Sequence, residues 1–225
     1  MAEILGKPMI GHVYEKVARC PLVTETVVAT CDKVIYDYIL SIQGKAVMTS
    51  DAHERASDRC AEALLILEKK RKVRFDIVIM VQGDEPMIHP KMIEQALEPM
   101  LQKEDILVAN LVGEIKSKEE FNDRNCIKVV CDLNGNALYF SREPIPCCSR
   151  AIKVHLQKQI CVIPFRRDFL LKYNQLSPTP LEIAESVDMN RVLEHGYQVR
   201  MIKTKHQTFS VDTPEDLKKV EMRMK

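Results

Sequence analysis

The sequence predicts one three-layer α/β/α domain whose central sheet is mostly parallel, with an antiparallel hairpin inserted into it. Three observations carry that expectation. Apolar runs of strand length alternate with stretches of helical periodicity, the order that βαβ units produce. The run at residues 76–81 (DIVIMV) is apolar at nearly every position, as a strand covered on both faces must be. Asn134-Gly135 lies between two further apolar runs and marks a tight hairpin, a connection open only to antiparallel strands.

The elements follow in order. After Gly6-Lys7-Pro8 the chain runs into a helical pattern almost at once. Residues 26–31 (TVVATC) form a buried strand, 34–42 a helix and 46–49 a short strand. A long amphipathic helix covers 56–67, with Ala61, Leu64, Leu65, Ile66 and Leu67 crowding one side. The central strand at 76–81 is followed by a helix over 91–102 and strands at 106–112, 127–131, 137–140 and 160–165. A helix starts near Arg166. Two more starts are explicit: Thr179-Pro180-Leu181-Glu182 and Thr213-Pro214-Glu215-Asp216 each offer a Thr cap, Pro at the first helical position and an acid at the third. No repeat, low-complexity tract or Gly/Ser linker divides the 225 residues, so residues 1–225 are expected to form a single domain.

Composition removes several classes of function. Thirty-three basic residues against thirty-two acidic ones leave a net charge of +1, which argues against nucleic acid or an anionic membrane as partner. The basic run Lys69-Lys70-Arg71-Lys72 suits the end of a helix, where the macrodipole favours cations. No run approaches the roughly 18 apolar residues of a transmembrane helix. The eight cysteines include no C-x-x-C pair and follow no signal peptide, which together favour a reducing, cytoplasmic setting. Seven scattered glycines form neither G-x-G-x-x-G nor G-x-x-x-x-G-K-[ST]. A nucleotide held here would be gripped some other way.

In open α/β sheets ligands sit beyond the carboxyl ends of the strands, and three segments with chemistry fall there. Val81-Gln82-Gly83-Asp84-Glu85-Pro86 leaves the central strand, with carboxylates suited to a hard cation such as Mg²⁺. Phe209-Ser210-Val211-Asp212-Thr213-Pro214 repeats the arrangement near the end of the chain, so that Asp84 and Asp212 could share one metal. Arg142, after Tyr139-Phe140-Ser141, could clamp a phosphate or carboxylate through its two-pronged guanidinium. His53 and Arg59 frame the start of the long helix. Each has a plain alternative, as a solvated loop acid near a helix start or an exposed cation. The remaining histidines show no ligand spacing.

Taken in order, Val81-Gln82-Gly83-Asp84-Glu85-Pro86-Met87-Ile88, Ala137-Leu138-Tyr139-Phe140-Ser141-Arg142 and Val211-Asp212-Thr213-Pro214-Glu215-Asp216-Leu217 resemble the signatures of the 3-deoxy-manno-octulosonate cytidylyltransferases. Gly6-Lys7-Pro8-Met9-Ile10 and Asp58-Arg59-Cys60-Ala61-Glu62 fit the same pattern, so the likeness runs from residue 4 to the end. The resemblance implies a Rossmann-like nucleotidyltransferase fold and a reaction in which CTP and an acidic keto-sugar give a CMP-sugar and pyrophosphate for lipopolysaccharide biosynthesis. It also implies a homodimer. Asp84 and Asp212 would hold Mg²⁺ and be catalytic, and Ser57 and Arg59 would lie near the nucleotide. Gln82 and Arg142 would contact the sugar, Arg142 through its carboxylate. Two departures from the family pattern shape the expectation. The family opens with a strand and a basic loop, I-P-A-R-x-x-S-x-R-L-P-G-K-P-L, that grips the triphosphate, and this sequence is read as lacking both, with lowered activity. On the sugar side, Gln159 stands where the family has His, and Asp188-Met189 where it has Glu-Gln, which points to a modified acceptor. Two alternatives stay open: another sugar nucleotidyltransferase, of the acylneuraminate or sugar-1-phosphate type, and a catalytically impaired relative that only binds nucleotide or sugar.

Overall fold

The computed structural model describes residues 1–149 and 154–225. The chain opens with a two-residue-turn hairpin, β1 (Glu3–Ile4) against β2 (Lys7–Pro8), in which Leu5 and Gly6 both take positive φ (52° and 74°). Helix α1 (Met9–Ala18) follows directly. Strands β3 (Val28–Thr30) and β4 (Ala46–Met48) pair in parallel around α2 (Lys33–Ser41), whose first turn is held by the Asp32 side chain accepting from the Val34 N–H at 2.7 Å. The long helix α3 (Ala56–Arg71) ends in its basic run, with Lys72 left-handed at φ 57°. Then come β5 (Ile77–Val81), α4 (Pro90–Gln102), β6 (Ala109–Glu114) and α5 (Lys118–Asn122). The hairpin β7 (Lys128–Cys131) and β8 (Ala137–Ser141) turns at Asn134-Gly135, as its sequence requires. Last are β9 (Gln157–Ile160), β10 (Val162–Arg166), α6 (Arg167–Tyr173), α7 (Pro180–Glu185), α8 (Asp188–Glu194), β11 (Arg200–Lys203) and α9 (Pro214–Met224).

The layers are those expected of an α/β/α domain. One hydrophobic cluster gathers Val13 and Val17 of α1, Met92, Ile93 and Ala96 of α4 and the sheet residues Leu111 and Val162. The other gathers Leu64 of α3, Phe169 and Tyr173 of α6, Val192 of α8 and the sheet residues Val112, Ile163 and Phe165. Neighbours in one strand, such as Leu111 and Val112, thus feed opposite clusters, which is the period of two in a sheet with both faces covered.

Parallel pairing holds in β3–β4 and β6–β11. The antiparallel part extends beyond the one hairpin. β9 runs against β6 and β7, and β10 runs against β5 over its whole length. Only Cys161 separates β9 from β10, so residues 157–166 act as one bent strand that pairs with β6, then runs along β5 while Phe165 still bridges Val108 just before β6. Val162, Ile163, Pro164 and Phe165 are all buried, which suits them to that central position. Pro164 lies opposite Ile79. The bonds Gln82 N–H to Cys161 O and Arg167 N–H to Asp76 O fix the alternation of that ladder, and they put Pro164 where no N–H toward β5 is called for.

Among the described residues β5 pairs only with β10, and β3 only with β4. Between these two ladders runs an apolar groove of about 870 Å³, lined by Val28, Leu64, Leu97, Ile77, Ile79 and Val81 among others.

Candidate active site

The strand that the sequence marks as central delivers the first acid. β5 ends at Val81, and Gln82, Asp84 and Glu85 line a cleft of about 1050 Å³ beyond it. Asp212 reaches the same cleft from the other end of the chain. It stands immediately before Thr213, the cap of α9, whose hydroxyl accepts from the Asp216 N–H while the Asp216 carboxylate accepts from the Thr213 N–H. This box fixes where the helix begins and so where Asp212 points. The two loops are joined directly: the Val211 N–H donates to the Asp84 carbonyl at 2.9 Å.

Glu85 is the second joint. It is 4% exposed, accepts from the Cys161 N–H at 3.3 Å and from the Thr208 hydroxyl at 2.6 Å, and so ties the β5 loop both to the bent strand and to the approach to Asp212. Burial pushes its carboxyl up to about 7. Asp84 is raised as well, first by burial and then by the facing Asp212 charge. Its Oδ1 is buried with no hydrogen-bond partner. An unpaired buried carboxylate oxygen beside a second carboxylate is the environment a hard divalent cation relieves. Among the described residues no group of three or more His, Cys, Asp or Glu gathers as a metal site, so the remaining oxygens would come from substrate phosphate and water.

Across the cleft, Arg142 follows β8 and is held in detail. Its Nε donates to the Glu185 carbonyl at 2.6 Å, Nη1 to the Arg124 carbonyl at 3.0 Å and Nη2 to the Ser186 carbonyl at 3.4 Å, while its own N–H meets the Glu185 carboxylate at 2.7 Å. The same carboxylate accepts from the Tyr139 and Ser141 hydroxyls at 2.9 and 2.8 Å. The buried Lys128 ammonium donates to the Arg142, Asp123 and Cys126 carbonyls, the latter two at 2.8 and 2.7 Å. Glu185 and Lys128 position Arg142, and single-residue patterns had no means of flagging either.

Gln82, Gln159 and Asp188 also line the cleft. Gln159 donates to Asn110 Oδ1 at 2.6 Å, and the Asn110 amide donates onward to the Ile160 carbonyl at 2.7 Å. Asp188 starts α8 and accepts from the Ser57 hydroxyl at 3.1 Å; burial raises its carboxyl, opposed by the nearby Arg55 charge. Ser57 itself is fully buried and Arg59 is drawn back, donating to Thr49 Oγ1 at 2.6 Å and the Ser50 carbonyl at 3.1 Å. Neither lines the cleft; Arg59 faces the apolar groove instead. His53, the other residue framing α3, pairs with Glu62 at 2.5 Å.

The arrangement can therefore bring two acids on joined loops, a fixed guanidinium, two amides and a third acid into one cleft. Comparison with known proteins agrees with it. The model of the cytidylyltransferase family matches residues 1–219. The 3-deoxy-manno-octulosonate cytidylyltransferase of Geotalea uraniireducens is 41% identical over 238 residues, covering all of this chain and 92% of that protein. The enzyme of the same name from Geobacter metallireducens is 40% identical, over 98% of this chain and 89% of its own. A solved CMP:2-keto-3-deoxy-manno-octonic acid synthetase complexed with CTP superposes with a TM-score of 0.89 at 38% identity, covering 99% of this chain and 90% of that one. A 4-diphosphocytidyl-2C-methyl-D-erythritol synthase from Anaerococcus prevotii shares the fold alone, at a TM-score of 0.67 and 12% identity.

Proposed function

The chain belongs to the cytidylyltransferase family, and from that premise we propose that it transfers the cytidylyl group of CTP to 3-deoxy-manno-octulosonate. The observation that carries the reading is the meeting of Asp84 and Asp212 across joined loops, opposite Arg142, in one cleft. In the reaction the sugar's anomeric oxygen, losing its proton, forms a bond to the α-phosphorus of CTP. The bond from that phosphorus to the oxygen bridging to the β-phosphate breaks, and pyrophosphate leaves.

Asp84 and Asp212 would hold Mg²⁺, and the orphaned Asp84 Oδ1 favours that assignment. When bound, Mg²⁺ supplies neutralisation of phosphate charge and a lowered pKa for the attacking hydroxyl. The protein's own part is positional. Glu85 locks the two aspartate loops to the bent strand, so that their separation is set before substrate arrives. Arg142 faces the sugar acid from a frame of carbonyls, and Gln82, Gln159 and Asp188 offer hydrogen bonds to its hydroxyls. Ser57 acts through Asp188, and Arg59 orders the loop at the nucleotide side. We further place the protein in the cytoplasm as a homodimer making an activated sugar for lipopolysaccharide. All eight cysteines are free thiols, which supports a reducing compartment, and no helix among the described residues is long and apolar enough to cross a membrane.

The test is product identification. Incubated with CTP, Mg²⁺ and a panel of keto-sugar acids, the protein should give a CMP-sugar by mass spectrometry with 3-deoxy-manno-octulosonate or an amino-substituted analogue. A CMP-sugar formed only with N-acetylneuraminate, or none with any acid, overturns the reading.

A further inference from the structure

We propose that Arg55 is a second guanidinium of the acceptor site, a specificity-determining residue that leaves Asp188 to take the carboxylate of the sugar. The inference rests on the function proposed above and names the group that reads the acceptor's charge.

The first observation is its place. Arg55 precedes α3 and lines both cavities, the cleft on one side and the apolar groove on the other, together with Met80 and Gln82. It therefore stands on the wall between them, within the same cleft as Arg142, Asp188 and Asp84.

The second is how loosely it is held. Arg55 Nη1 donates to the Ser186 hydroxyl at 3.1 Å and lies 3.4 Å from Asp188 Oδ1, while its Nε is 3.8 Å from Glu182 Oε1. These are long contacts for charged groups, whose ion-paired hydrogen bonds ordinarily close to about 2.8 Å. The Arg142 guanidinium, by contrast, already spends three donors on carbonyls, one of them on the same Ser186. Two guanidinium groups thus converge on residue 186, and Arg55 is the one free to re-pair.

The third is that its departure frees one acid and not two. Glu182 is held by Arg191 in a two-pronged pair at 2.5 and 2.6 Å, so its charge is matched without Arg55. Asp188 keeps the Ser57 hydroxyl on one oxygen, while the other loses the Arg55 charge and needs a new partner from the cleft that Asp188 lines. An incoming sugar acid can then exchange partners with the pair. Its carboxylate takes the two-pronged face of Arg55, and one of its hydroxyls, or an ammonium in an amino-substituted sugar, donates to Asp188. A neutral sugar offers nothing to the arginine and leaves the pair closed.

The experiment is titration calorimetry of 3-deoxy-manno-octulosonate, and of its carboxyl-reduced analogue, onto wild type, Arg55→Ala and Arg55→Lys, with melting temperature measured alongside. Wild type should prefer the acid. Arg55→Ala should lose at least tenfold in affinity for the acid, hold its affinity for the reduced analogue and for CTP, and melt with wild type. Arg55→Lys should recover part of the loss, since it restores charge without the planar fork. Equal binding of the acid by wild type and Arg55→Ala, or an equal loss for acid and reduced analogue, overturns the role of Arg55 while leaving the proposed function standing. A wild type that binds neither octulosonate nor its amino-substituted analogue overturns both.

Discussion

Asp84 and Glu185 illustrate two ways in which a single side chain serves the cleft. Asp84 carries a buried oxygen without a partner and a charge disfavoured by burial and by Asp212. Removing that charge relieves the folded state, so Asp84→Asn is expected to melt at or above the wild-type temperature while losing turnover by about a thousandfold or more, the scale for a group that stabilises transition-state charge. Glu185 is the reverse case: it accepts from Tyr139, Ser141 and the Arg142 N–H. Glu185→Ala leaves buried donors unmatched and frees Arg142. It should cost about 2–3 kcal/mol in denaturant unfolding and raise the KM for the sugar more than that for CTP. Asp84 and Arg142 were legible in the sequence because each follows a strand, whereas Asp212 was legible from the helix start beside it: the strand expected to deliver it is absent, and residues 204–212 run as loop from β11 to α9. Their supports were not: Glu185 lies 43 positions from Arg142 and Glu85 lies 123 from Thr208, and no local pattern encodes such meetings. Ser57 and Arg59 were themselves expected near the nucleotide, and helix geometry turns one into the core and the other toward the groove. Arg55 is the neighbour that remains at the cleft wall.

Helix ends and inter-helix pairs set the next scale. The start of α9 was plain from Thr213-Pro214-Glu215-Asp216, and here a cap does more than stabilise a helix, because Asp212 stands one residue before it. Thr213→Ala is expected to cost about 1 kcal/mol and to weaken Mg²⁺-dependent turnover beyond what that loss of stability explains. Between α3 and α6, Glu68 pairs with Arg167 at 2.7 and 3.0 Å, and these bonds hold the Glu68 carboxyl below its ordinary value. A carboxyl lowered in the folded state stabilises above its ordinary pKa, and that contribution is lost as pH falls. Glu68→Gln should therefore be less stable than wild type by about 1.5 kcal/mol near pH 7, with the gap closing as the pH drops below 4.5. Short elements such as β1, β2, α5 and β11 are not legible in the sequence, since two to five residues carry too little periodicity to stand out.

At the scale of the whole sheet, the three-layer architecture follows from alternation of apolar runs, whereas strand order does not. Nothing in residues 160–165 says that the strand bends at Cys161 and turns antiparallel to β5; that depends on which edges are open when it arrives. The ladder to β10 engages one set of β5 amides. The alternation set by Gln82–Cys161 and Asp76–Arg167 turns the N–H groups of Val78 and Met80 to β10 and those of Ile77, Ile79 and Val81 toward the apolar groove. Hydrogen exchange should accordingly be slow at Val78 and Met80 and markedly faster at Ile77, Ile79 and Val81. Equal protection along β5 would mean that the groove edge is covered in solution. Asp84 follows β5, Arg142 follows β8 of another ladder, and Asp212 is tied to the β5 loop by the Val211–Asp84 bond, so function depends on the assembled ladders and on no single motif.

The claim that joins these scales is that Asp84 and Asp212 together support cytidylyl transfer. The most direct measurement is pyrophosphate release from CTP in the presence of Mg²⁺ and 3-deoxy-manno-octulosonate, for wild type, Asp84→Asn and Asp212→Asn, each checked for folding. Acceptor-dependent release is expected from wild type, lost in both variants and lost again when the metal is chelated. Release that persists in Asp84→Asn, or that proceeds equally without the sugar, would contradict it.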